Sequence, residues 1–111
     1  MNNLQEDAPT IACDLSAISA EQRAAHEALA QQLMSESVQE TRELPDGYAL
    51  RFSADHYPAL TQFIANERLC CPFFNFVLEV TPAPGSLWLR LTGGVGVKEF
   101  LSTTLKNVAE R

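Results

Sequence analysis

Two adjacent cysteines, Cys70 and Cys71, stand directly before Pro72, and a carboxylate, Glu67, precedes them by three and four residues. On a helix that interval puts Glu67 on the same side as the thiol pair. Neighbouring helical side chains diverge by about 100°. Cys70 and Cys71 therefore face one ligand only where the helix is ending, and Pro72 places the end there. A bridge between chain neighbours closes a strained ring, so the pair suits chelation or exchange with a partner better than mutual bonding. Soft thiolates select soft or borderline ions over magnesium and calcium. If Cys13, the third cysteine, folds back onto the pair, three sulfurs converge with the Glu67 carboxylate, a set that suits mercury(II) or arsenic(III). Tetrahedral zinc is one ligand short there unless Glu67, His56, His26 or water completes it, and the usual two- to four-residue gap between zinc cysteines is absent.

The same placement weighs against a free nucleophile. Thiolates are favoured at helix N-termini and beside cations, whereas this pair falls at a C-terminus next to Glu67, with Arg68 a partial offset. A bound metal drives deprotonation regardless, so a raised pKa harms a nucleophile more than a ligand. No cysteine–histidine pairing is legible, and Gly93-Gly94-Val95-Gly96 lacks the Lys and Ser or Thr of a phosphate loop. The competing reading is packing alone, because cysteine is among the residues most often buried. Glu67 is then a solvated helix residue. His26 and His56 read as surface or cap residues, and Phe73, Phe74 and Phe76 as core.

The chain around these groups has 111 residues, 46% hydrophobic and 20% charged, the size and balance of one domain. A net charge of −6 argues against a nucleic-acid partner, which would be bound by neutralising phosphates. No apolar run approaches the roughly 18–20 residues of a membrane span, and the first residues lack the regions of a signal peptide. The expected compartment is the cytoplasm. Three cysteines leave at least one unpaired in a monomer, and a reducing cytoplasm is expected to keep all of them as thiols.

Residues 1–10 read as a flexible lead-in and 11–111 as a single α+β domain. Ile11-Ala12-Cys13 is a short apolar patch, and Ser19 with Glu21 and Gln22 marks a helix start. That helix runs over about residues 20–35, with Ala25, Leu29 and Leu33 on its apolar side. Residues 38–43 and 48–52 flank Leu-Pro-Asp-Gly, a hairpin with Tyr48, Leu50 and Phe52 on one face. Asp55 is placed to cap the next helix, with Pro58 in its first turn and Leu60, Phe63, Ile64 and Leu69 as its buried stripe. A second hairpin turns at Pro82-Ala83-Pro84-Gly85, with Leu87, Leu89 and Leu91 on one side and Trp88 on the other. Val97, Phe100, Leu101, Leu105 and Val108 keep helical spacing to the end. Residues 38–71 and 75–108 thus echo each other, down to Leu50-Arg51-Phe52 against Leu89-Arg90-Leu91. The expected architecture is a four-stranded antiparallel sheet built from two β-hairpins, each followed by a helix, with an additional N-terminal helix. The Trp88 face is either a second packing layer or an exposed patch, and the latter would favour a homodimer.

The blocks Ile-Ala-Cys-Asp-Leu at 11–15, Leu-Pro-Asp-Gly-Tyr at 44–48, Glu-Arg-Leu-Cys-Cys-Pro-Phe-Phe-Asn-Phe at 67–76 and Leu-Trp-Leu-Arg-Leu-Thr-Gly at 87–93 resemble a family of small bacterial proteins. A similar module is appended to the C-terminus of some mercury-responsive, MerR-type heavy-metal regulators. The resemblance covers about residues 11–106 and is most specific at Cys-Cys-Pro-Phe. It implies a part in heavy-metal response and carries over Cys13, Glu67, Cys70 and Cys71 as the matching positions. A helix-turn-helix domain does not fit in this chain, so the regulator's role does not transfer. The expected function is a cytoplasmic soft-metal binding or sensing module with no organic cofactor. Two alternatives stay open: an enzyme acting on organometals or thiol-bound substrates with Glu67 as proton donor, and a dimeric interaction module with structural cysteines.

Overall fold

Ser19 opens the first helix, α1 (Ala20–Gln32), with a reciprocal cap. Its Oγ accepts from the Gln22 N–H and its own N–H donates to the Gln22 side chain, both at 3.2 Å. A computed structural model describes residues 13–109, and side chains through Leu105. The 1–10 lead-in, the Ile11-Ala12 patch and the Val108 side chain lie outside the described residues. A π-helical turn, Leu33–Ser37, follows α1. The stripe that α1 turns inward is His26, Leu29, Ala30 and Leu33, at helical intervals of three and four. Ala25, expected on that stripe, is exposed, and the shift of one residue carries His26 into the interior.

The two hairpins form as expected. Strands β1 (Glu40–Leu44) and β2 (Gly47–Ser53) turn at Pro45-Asp46, and β3 (Asn75–Val80) and β4 (Ser86–Thr92) turn at residues 81–85. All pairings are antiparallel in the order β1-β2-β4-β3, so the hairpins join through their second strands. Leu50 pairs directly with Leu89. The local two-fold of an antiparallel ladder at that pair relates Arg51 to Arg90 and Phe52 to Leu91, the residues of the sequence echo. Glu40–Arg51 and Glu79–Arg90 are both cross-strand ion pairs, but Glu40 stands directly opposite Arg51 whereas Glu79 stands opposite Trp88.

Helix α2 (Tyr57–Cys70) is preceded by a short 3-10 turn, Ala54–His56. Ser53, rather than the expected Asp55, caps that entry by accepting from the Asp55 N–H. Leu60 and Phe63 are buried on α2, but Leu69 is 54% exposed and drops out of the stripe assigned to it. Helix α3 (Val97–Ala109) buries Val97 and Leu101.

Alternation decides which sheet face is dry. Leu50 and Phe52 of β2 and Leu87, Leu89 and Leu91 of β4 meet Leu33, Leu60, Phe63, Val97 and Leu101 from the helical layer in one core. Phe73, Phe74 and Phe76 pack against that core, as expected, and Phe73 and Phe74 also reach Phe100. On the other face Trp88 is half-buried, with the Arg42 guanidinium 4.6 Å over its ring. Gly47 is required by close approach. A Cβ there would meet the Leu91 carbonyl oxygen at 1.9 Å, so only glycine lets β4 come up to the hairpin turn.

Candidate thiolate and metal site

The chemistry gathers where α2 stops. The Cys71 N–H donates to the Glu67 carbonyl at 2.7 Å in the last helical bond, and Cys71 itself leaves the helix at φ −128°, ψ 69°. Pro72 cannot continue the ladder. The Asp14 N–H donates to the Cys70 carbonyl at 2.6 Å, capping one of the helix's open C-terminal acceptors and pinning the residue after Cys13 against the helix end. That contact is between residues 56 apart in sequence, 70 − 14.

Cys13 and Cys71 are joined in a disulfide, their Cα atoms 4.6 Å apart, inside the usual range of about 4.4–6.8 Å. The expectation that all three cysteines stay as thiols is therefore corrected. The inference from compartment does not weigh tertiary proximity, and the backbone bond beside Cys13 supplies that proximity. Cys70 remains a free, buried thiol. Its Sγ lies 3.9 Å from Cys71 Sγ, 3.7 Å from the Glu67 carbonyl oxygen and 3.8 Å from Glu67 Oε1.

Glu67 is the hub. His26 Nε2 and Glu67 Oε1 share a hydrogen bond of 2.7 Å. His26 is 3% exposed and stacks on Phe63, with ring centroids 5.6 Å apart. Its other nitrogen, Nδ1, is buried with no hydrogen-bond partner among the described residues. The expected surface or cap role of His26 is thus overturned: it holds Glu67 from the facing helix. His56 stays away from the site, at the start of α2, with its ring edge-on to Phe52.

Burial pushes the Cys70 thiol up to about 11, and the Glu67 carboxylate pushes in the same direction. The direction agrees with the sequence argument against a free nucleophile, but the leading cause is desolvation, which helix position alone does not express. Two overlapping donor sets result. Cys13, Glu67 and Cys71 place their ligand atoms within 4.8 Å of one another, as do His26, Glu67 and Cys70. All four residues singled out from the sequence are brought together, and His26 is added. A signal for His26 existed in its spacing to Leu29, Ala30 and Leu33, which marks it as the first position of the apolar stripe.

The fold and the site define a small α+β module whose sheet-backed helix pair presents a disulfide, a buried thiol and a histidine-held carboxylate as one cluster. Comparison with known protein families, with curated proteins and with solved structures returns no match for the chain. Among the described residues, no helix is long and apolar enough to cross a membrane.

Proposed function

We propose that this protein is a soft-metal, thiolate-binding module of heavy-metal response, closed by the Cys13–Cys71 disulfide and opened by a dithiol reductant. The dithiol supplies two electrons and two protons, becomes a disulfide itself, and leaves Cys13 and Cys71 as thiols beside Cys70. A mercury(II)- or arsenic(III)-type ion then displaces the thiol protons and gathers the sulfurs. The observation that carries this reading is the convergence of three sulfurs and a carboxylate. Cys70 Sγ and Cys71 Sγ are 3.9 Å apart. Two thiolates at about 2.3 Å from one tetrahedral ion stand roughly 3.8 Å apart, so this pair is already at ligating distance. Burial of Cys70 excludes competing water, and Glu67, fixed by His26, supplies an oxygen donor or orients the sulfurs.

Titration of the reduced protein with mercury(II) or arsenite against a competing thiol tests this. Tight one-to-one binding is expected, with the oxidised protein much weaker. Unchanged affinity in Cys70→Ser and Cys71→Ser would sink the reading. The same preparation, offered an organomercurial, separates binding from turnover, since release of hydrocarbon at substoichiometric protein would support the enzyme reading with Glu67 as proton donor.

A further inference from the structure

The disulfide has two unlike ends. Cys13 is exposed and Cys71 is 1% exposed, so an external thiolate reaches the Cys13 sulfur and Cys71 is the leaving group. Beside it lies a cavity of about 100 Å³ with Met34, Phe63, Phe74 and Leu105 among its walls, and Cys13 and Glu67 line it as well. An apolar cavity bordered by a reactive sulfur and one fixed carboxylate has the make-up of a small-molecule site. We infer that it receives the organic group of a small apolar thiol, which opens the disulfide by forming a mixed disulfide with Cys13.

The step balances without another reagent. The thiol RSH gives its proton to water and attacks as RS⁻, the RS–Sγ bond to Cys13 forms, and the Sγ–Sγ bond to Cys71 breaks. Cys71 leaves as a thiolate and takes a proton back from water. A second RSH then displaces RS–SR and frees Cys13, so two thiols supply the electrons that the metal reading asks of a dithiol. The inference needs the disulfide and the cavity, not the metal.

Size and charge define the ligand class. A dry cavity of about 150 Å³ admits benzene, and a water occupies about 30 Å³ of liquid, so the smaller cavity here suits a chain of about three carbons rather than a ring. A carboxylate-bearing thiol is disfavoured, because a Glu67 carboxylate oxygen lies within 4.8 Å of both disulfide sulfurs and Asp14 adjoins Cys13.

The test uses the oxidised full chain with 1-propanethiol, 2-mercaptoethanol and mercaptoacetate. Each rate is divided by the same thiol's rate with a linear dialkyl disulfide, and the adduct is located by peptide mass mapping. The propyl thiol is expected to lead 2-mercaptoethanol by about tenfold, in line with burying its terminal methyl in place of a hydroxyl. Mercaptoacetate should be slowest, and the adduct should sit on Cys13. Filling the cavity with Ala30→Leu, or its exposed rim with Thr104→Phe should the first variant not fold, brings the ratio near one. Equal normalised rates, an adduct on Cys71 or Cys70, or a preference that survives both variants would overturn the inference. Mercury(II) titration of pre-reduced Ala30→Leu and Thr104→Phe should match the parent chain, so failure here and failure of the metal reading are told apart.

Discussion

At the residue scale the informative group is Cys70, because its free thiol is held neutral from two sides. Its thiol rises from an ordinary 9.0 to about 11, chiefly through burial and then through Glu67. The folded protein therefore binds more protons than the unfolded chain between those values. Stability from this source is fully present below pH 9 and drains away as pH climbs toward 11. Between pH 8.5 and 11 the parent chain should lose more unfolding free energy than Cys70→Ala, by an amount of order 2 kcal/mol. Parallel urea titrations of the two proteins measure the difference. His26 acts through Glu67, so His26→Ala should weaken mercury(II) binding by about tenfold while leaving the three sulfurs in place. Competition titration of the reduced protein reads that loss, and a variant that binds as tightly as the parent would assign His26 to packing alone.

At the scale of elements, each helix and hairpin rests on a local rule, and the site depends on where two of them stop. The Ser19–Gln22 box fixes where α1 starts and hence which of its side chains faces α2. Pro72 fixes where α2 ends. Between them His26 meets Glu67 across the helix pair at 2.7 Å. The sheet beneath depends on Gly47, where the β4 backbone leaves no room for a side chain at the hairpin turn. Gly47→Ala should force the strands apart and cost about 1–3 kcal/mol, the usual price of overpacking. Chemical denaturation gives that number, and a cost near zero would mean the strands part without loss.

At the scale of the whole molecule, the disulfide ties the N-terminal segment to the far end of α2 across 58 residues of chain. A loop of that length removes enough unfolded-state freedom to stabilise the fold by up to about 4 kcal/mol. Reduction should therefore lower the unfolding free energy by an amount approaching that value, and Cys13→Ser should show the same loss without reductant. On the proposed function, a thiophilic ion should return stability to the reduced protein by binding the assembled sulfurs better than the dispersed ones, by about 2.7 kcal/mol at a hundred times its dissociation constant. Melting curves of the oxidised, reduced and reduced, mercury-loaded protein should rank in that way, with reduced lowest. An ion that leaves the reduced melting temperature unmoved would count against binding at this site.

Much of this protein is fixed by short-range rules that are visible in the chain. Alternating leucines set the sheet's faces, Asp-Gly and Pro-Gly set the turns, Ser19 and Pro72 set helix limits, and Glu67, Cys70 and Cys71 share a side because three- and four-residue steps bring side chains together. Periodicity was less able to place His26, since a shift of one residue in the stripe moves a side chain by about 100° and turns an exposed imidazole into a buried one. Pairing of Cys13 with Cys71 lay beyond it altogether. That bond depends on the Asp14 N–H meeting the Cys70 carbonyl, a contact between distant segments that exists only once α2 has docked and left its last carbonyls open. Helical spacing and Pro72 are enough to deliver a thiol pair and a carboxylate to one helix end. Which sulfurs bond, which stays free, and that a buried histidine holds the carboxylate follow only from the docking of α1 and the N-terminal segment onto α2.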